Sequence, residues 1–103
     1  MKYAKQRDAN ESPIVDALRA VGAVVQRLGD AGVPDLLVGF RGANYLLEVK
    51  LPLGPQGGVH HHGKAGSRGD LTPAQVKWWA VWCGQARVVR DVGEALAAIG
   101  VDA

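Results

Sequence analysis

The chain has 103 residues, 48% apolar and 21% charged, a balance that predicts one folded domain over residues 1–103 and excludes a disordered chain. No apolar run approaches the roughly 20 residues that span a bilayer, the opening stretch lacks a secretory leader, and a lone Cys83 excludes an internal disulfide. A cytosolic (cytoplasmic) protein with no membrane partner is expected, and its net charge of +2 is compatible with polyanions without arguing for them.

Ile14, Leu18, Val21 and Val25 recur at helical spacing behind Ser12-Pro13, which predicts a helix over residues 12–22. Asp8 with Glu11 offers an earlier start in a capping pattern that would carry Pro13 inside the helix. Three β-rich stretches follow, residues 23–28, 35–40 and 45–51, separated by GDAGVP and RGAN, and they read as an antiparallel meander. Residues 52–70 turn to Gly, Pro, His and Ser without periodicity, which predicts a long, flexible, basic loop. From Lys50 to Arg68 the chain carries three cationic residues, three histidines and no acid, a stretch suited to a polyanion.

Thr72-Pro73-Ala74-Gln75 marks the next helix start, with threonine as cap, proline in the first turn and glutamine reaching back. Val76, Trp79, Ala80 and Cys83 form its expected core face, Cys83 as a buried structural thiol, and Gly84 its expected end. ARVVR fits one more strand, and Val92, Ala95, Leu96 and Ile99 a last amphipathic helix before Gly100. The expected order is α-β-β-β-α-β-α, an α/β fold.

Chemistry concentrates on the hairpin of residues 35–50. A tight turn centred on Gly42-Ala43 would set Asp35 opposite Lys50 and Leu37 opposite Glu48. Side chains alternate along a strand and opposed residues share a face, so Asp35, Glu48 and Lys50 all project from one side and Val49 from the other. Diagonal neighbours about 7–8 Å apart let two carboxylates converge on one hard cation bound at about 2.0–2.1 Å. A divalent ion there would neutralise phosphoryl charge and lower the pKa of a bound water, with Lys50 holding that water or stabilising developing charge. That set suits phosphodiester hydrolysis, although Glu-x-Lys alone is an ordinary surface tripeptide.

Taken jointly, Gly32-Val33-Pro34-Asp35, the hairpin, Glu48-Val49-Lys50 and then Leu71-Thr72-Pro73-Ala74-Gln75 resemble the PD-(D/E)xK nuclease superfamily and, within it, the compact VRR-NUC group, over nearly the whole chain. The resemblance implies a restriction-endonuclease-like αβββαβ core with a mixed central sheet flanked by helices. It implies metal binding by Asp35, Glu48, the backbone carbonyl of Val49 and an acid of the first helix, for which Glu11 is the matching position. Lys50 is then the motif lysine, and Gln75 matches a glutamine at the start of the helix after the hairpin. The implied activity is that of a Mg2+-dependent DNA endonuclease, with Mn2+ able to substitute, selective for branched or junction DNA and acting as a homodimer. Glu11 and Gln75 each keep a second explanation, since both also suit helix starts.

Other signals carry less. Gly58 to Gly63-Lys64 imitates a phosphate-binding loop, but Ala65 stands where a hydroxyl should be, so no nucleotide cofactor is expected. His60, His61 and His62 are too close in sequence to converge on zinc; with Lys64 and Arg68 they suit contact with DNA phosphate. Trp78 and Trp82, spaced i, i+4 and turned from the expected core face, suit packing on a second copy, with stacking on splayed bases the alternative. A non-catalytic DNA-binding module and a subunit of a larger nucleic-acid-processing complex are the competing functions; binding without cleavage would mark the first and sizing the second.

Overall fold

A computed structural model describes residues 8–52 and 71–101. In chain order the elements are α1 (Glu11–Ala20), β1 (Val24–Arg27), β2 (Leu36–Phe40), β3 (Ala43–Val49), α2 (Pro73–Val81), β4 (Arg87–Val89) and α3 (Val92–Ala98). The expected order is therefore the observed one. α1 begins at Glu11, ahead of the expected Ser12, with Asn10 in the cap position and Glu11 N donating to Asp8 O at 3.0 Å. Pro13 is tolerated because it falls in the first turn, where a backbone N–H has no helical partner to lose. α2 starts as its sequence dictates: Thr72 Oγ1 accepts from Gln75 N at 3.2 Å while Gln75 Oε1 accepts from Thr72 N at 2.8 Å.

The four strands form a mixed sheet in the order β1-β2-β3-β4, antiparallel except for the parallel β3–β4 pair. Parallel strands need a crossover, and α2 lies within it. Alternation places Val25, Leu36, Val38, Phe40, Leu47, Val49 and Val89 on one face, where Ile14, Val15 and Leu18 of α1 and Ala95 and nearby Ile99 of α3 close the core. Each fully buried aliphatic side chain there contributes roughly 1.5–3 kcal/mol. Glu48 points to the opposite face, toward α2. Among the described residues no helix is long and apolar enough to cross a membrane.

Two local expectations are corrected. The hairpin turns at Arg41-Gly42, not at Gly42-Ala43, because both residues adopt positive φ (51° and 81°), the mirror-image turn whose twist matches that of the strands. The Arg41 guanidinium lies 4.7 Å from the centre of the Phe40 ring. Leu36 consequently pairs with Leu47, where the expected register required Val49, a slip of two residues. A slip of two leaves every side chain on its face, since strand alternation has period two. One step past that pair, the residue across from Asp35 is Glu48 and not Lys50.

The second correction concerns α2. Val76, Ala80 and Cys83 are exposed, Trp79 is half-buried, and the buried side chain of the helix is Gln75. The helix stops at Val81, with Trp82 at ψ 127°, short of Gly84, so Cys83 never enters a helical core face. What seats the helix is its first turn. Gly32 has φ +85°, and a Cβ there would lie 2.7 Å from the Ala74 carbonyl oxygen.

That approach makes Gly32 sensitive twice over, through its dihedral and through its neighbour. Gly22, at φ +100° with nothing within 4 Å, isolates the dihedral contribution. Gly22→Ala should cost about 1 kcal/mol and Gly32→Ala clearly more, toward about 3 kcal/mol. Urea unfolding of the two variants checks this; equal losses would show that contact with Ala74 constrains nothing.

Candidate active site

Glu48, Lys50 and Gln75 meet from the end of β3 and the first turn of α2, Asp35 is bound to the intervening Val49, and none of the four is more than 6% exposed. Charged groups at that depth persist only when partnered. Asp35 stands just before β2. Its carbonyl accepts from Leu28 N at 2.8 Å, and its Oδ2 accepts from Val49 N at 2.8 Å. The N–H and C=O of one strand residue turn to the same neighbour, so the Val49 carbonyl also faces the Asp35 side. Lys50 N turns the other way and donates to Val89 O at 3.0 Å.

Gln75 joins the two charged side chains. Its Nε2 donates to Glu48 Oε2 at 2.8 Å, and its Oε1 accepts from Lys50 Nζ at 2.7 Å. Lys50 Nζ is also 3.7 Å from Glu48 Oε2. The amide orientation follows from this network: flipped, it would set its NH2 against an ammonium and its carbonyl against a carboxylate. The same Oε1 takes the Thr72 N–H, so the cap and the site, two separate explanations of Gln75 in the sequence, are served by one atom.

Three neighbours escape sequence reasoning. Asn10 Nδ2 donates to Lys50 O at 2.9 Å and to Arg90 O at 2.8 Å, partners 40 and 80 residues away. Arg90 Nη1 donates to Leu51 O at 2.9 Å, so consecutive carbonyls at the exit of β3 are held from α1 and β4. Arg27 Nε sits 2.9 Å from Glu11 Oε2, an ion pair in which the acid is 2% exposed. Arg27 pairs with Leu36, next to Asp35, a register that the folded sheet supplies and no local spacing in the sequence does.

Among the described residues no group of three or more His, Cys, Asp or Glu side chains gathers as a metal site. Glu11, turned to Arg27, thus forms no three-acid cage with Asp35 and Glu48. The remaining donor set is two carboxylates and the Val49 carbonyl, all hard oxygens. It fits magnesium, which keeps several waters and takes one or two carboxylates from a protein, and does not fit zinc, which prefers nitrogen and sulfur. His60, His61, His62, Lys64 and Arg68, expected to contact DNA, lie outside the described residues.

Compared with known proteins, the chain matches no protein-family model, no curated protein and no solved structure.

The double duty of Gln75 separates two variants. Thr72→Ala removes only a cap and should cost about 1 kcal/mol. Gln75→Ala also removes the link between Glu48 and Lys50, adding about 1–3 kcal/mol for buried polar groups that lose a partner. Denaturant titration of both reads the difference; an equal loss would show that the amide acts as a cap alone.

Proposed function

We propose that the chain is a magnesium-dependent nuclease that hydrolyses phosphodiester bonds in DNA, on a restriction-endonuclease-like core of the VRR-NUC kind. The observation that carries this reading is the buried Glu48–Gln75–Lys50 link beside the Asp35–Val49 hydrogen bond. Burying an acid and an amine is rarely the most stable way to fill space, and apolar residues of similar size commonly do it better. A charged ligand at this place accounts for the arrangement. The α-β-β-β-α-β order, with one acid just before β2, the other on the adjacent β3 and the lysine two residues after the second, supports the same reading.

Asp35, Glu48 and the Val49 carbonyl would hold the metal, which when bound supplies a Lewis acid and a water of lowered pKa. The chain's own groups do the rest. Gln75 Nε2 restrains the Glu48 carboxylate, and the Val49 N–H restrains that of Asp35. Lys50 has three donors, one of them engaged by Gln75 Oε1, which leaves others for the attacking water or a phosphate oxygen. Glu11 supports the site from the start of α1 through its pair with Arg27. Mn2+ should substitute for Mg2+, both being hard ions that accept oxygen ligands. DNA is the proposed substrate.

A cleavage screen of labelled single-stranded, duplex, flap and four-way DNA with magnesium, manganese or EDTA tests the reading. Asp35→Asn keeps an acceptor for the Val49 N–H, and Glu48→Gln keeps the side-chain volume, so both variants should fold by circular dichroism. Each should cut at least roughly 100-fold more slowly than the wild type. Metal-independent cutting, near-normal cutting by either variant, or binding without cleavage in any metal would sink the proposal.

A further inference from the structure

The first turn of α2 reaches the Glu48–Lys50 pair, and a stripe of side chains leads away from it. Gln75, Trp78 and Trp82 stand at i, i+3 and i+7, one face of a helix. Along that face exposure rises from 6% at Gln75, through a half-buried Trp78, to 43% at Trp82. The stripe begins inside the site and ends in solvent.

Trp82 is held as a flat, fixed surface. Its ring stacks on Trp78 with centroids 4.9 Å apart and planes 18° apart, and Nε1 donates to Gln85 O at 3.2 Å. Gly84 makes room for it: a Cβ there would lie 2.5 Å from Trp82 Cζ2. A ring already immobilised loses little freedom when something stacks on it.

We infer that Trp82, backed by Trp78, is a stacking platform for an unpaired nucleobase of the strand whose phosphate lies at Asp35, Glu48 and Lys50. The inference rests on the nuclease reading for that phosphate and on the following observations for the base. Residues 71–90 carry exposed Lys77 and Arg87 and no acid, so no carboxylate of this segment opposes a phosphate chain running toward the ring. At about 100° per residue Val76 and Val81 fall on opposite flanks of the stripe, away from the ring. Along the stripe itself the one exposed apolar side chain is Trp82, and one ring falls well short of the roughly 800 Å² that each partner buries in a stable protein interface. Seven residues at about 1.5 Å rise set Trp82 about 10 Å along the helix from Gln75, about three steps of a stacked strand at 3.4 Å.

The test uses the wild-type chain in EDTA, where no cleavage occurs, with a labelled oligothymidylate and an abasic oligonucleotide of equal length that keeps the phosphates. Fluorescence anisotropy should show the thymidylate bound roughly 5- to 150-fold more tightly than the abasic strand. Trp82→Ala and Trp82→Leu should erase that preference, and Trp82→Phe should restore most of it. The leucine variant keeps apolar volume at a partly exposed position, so it covers the case in which truncation to alanine disturbs the fold. Equal binding of both strands by the wild type, or unchanged thymidylate binding by Trp82→Leu, would overturn the platform. So would light scattering that shows wild-type dimers and Trp82→Leu monomers without nucleic acid, because a second copy would then cover the ring. These readouts need neither metal nor turnover: base-dependent binding in a chain that never cleaves DNA would remove the nuclease reading and leave the platform standing.

Discussion

A single side-chain amide, that of Gln75, reconciles two charges that the fold would otherwise bury at a penalty. Glu48 needs a donor and Lys50 an acceptor, and an amide offers one of each at opposite ends of the same rigid plane. It can serve both only if the helix that carries it is fixed in rotation and height. The capping box with Thr72 sets the rotation, because it fixes which residue is the third of the helix. The close approach of Gly32 to Ala74 sets the height. A helix starting one residue later would turn by about 100° and carry the amide away from both partners.

The end of β3 is the other half of this constraint. Alternation sends Leu47 and Val49 into the core with α1 and α3 and sends Glu48 toward α2, so one short strand serves both layers. The backbone alternates too: Val49 N turns to Asp35 and Lys50 N to Val89. Asn10 and Arg90 then hold the carbonyls of Lys50 and Leu51. Under the proposed function, acids and an amine acting on one phosphate would have to stay within a fraction of an ångström of their working positions, and the backbone ties made from three other parts of the chain supply such rigidity.

α2 contrasts with the rest. Beyond its first turn it places no side chain in the core, and its aromatic residues pack on one another: Trp78 meets Trp79 edge-on and Trp82 face-on. An amphipathic reading of that helix fails for a physical reason. Periodicity reveals the apolar side of a helix when burial selects the side chains, and here the buried position is a polar residue tied to the site.

By itself the amino-acid order determined whatever depends on neighbours a few residues apart: the succession of elements, the capping box at Thr72 and Gln75, and the shared face of Asp35 and Glu48. That face survived a wrong turn position because a slip of two residues preserves strand alternation. The backbone of Arg41-Gly42 set the hairpin register; tertiary structure alone decided the side on which α2 packs, the exposure of Cys83, and the ties of Asn10 to Lys50 and Arg90 and of Arg27 to Glu11. These depend on which surfaces meet across 16 to 80 residues of chain, and no local spacing records such a meeting.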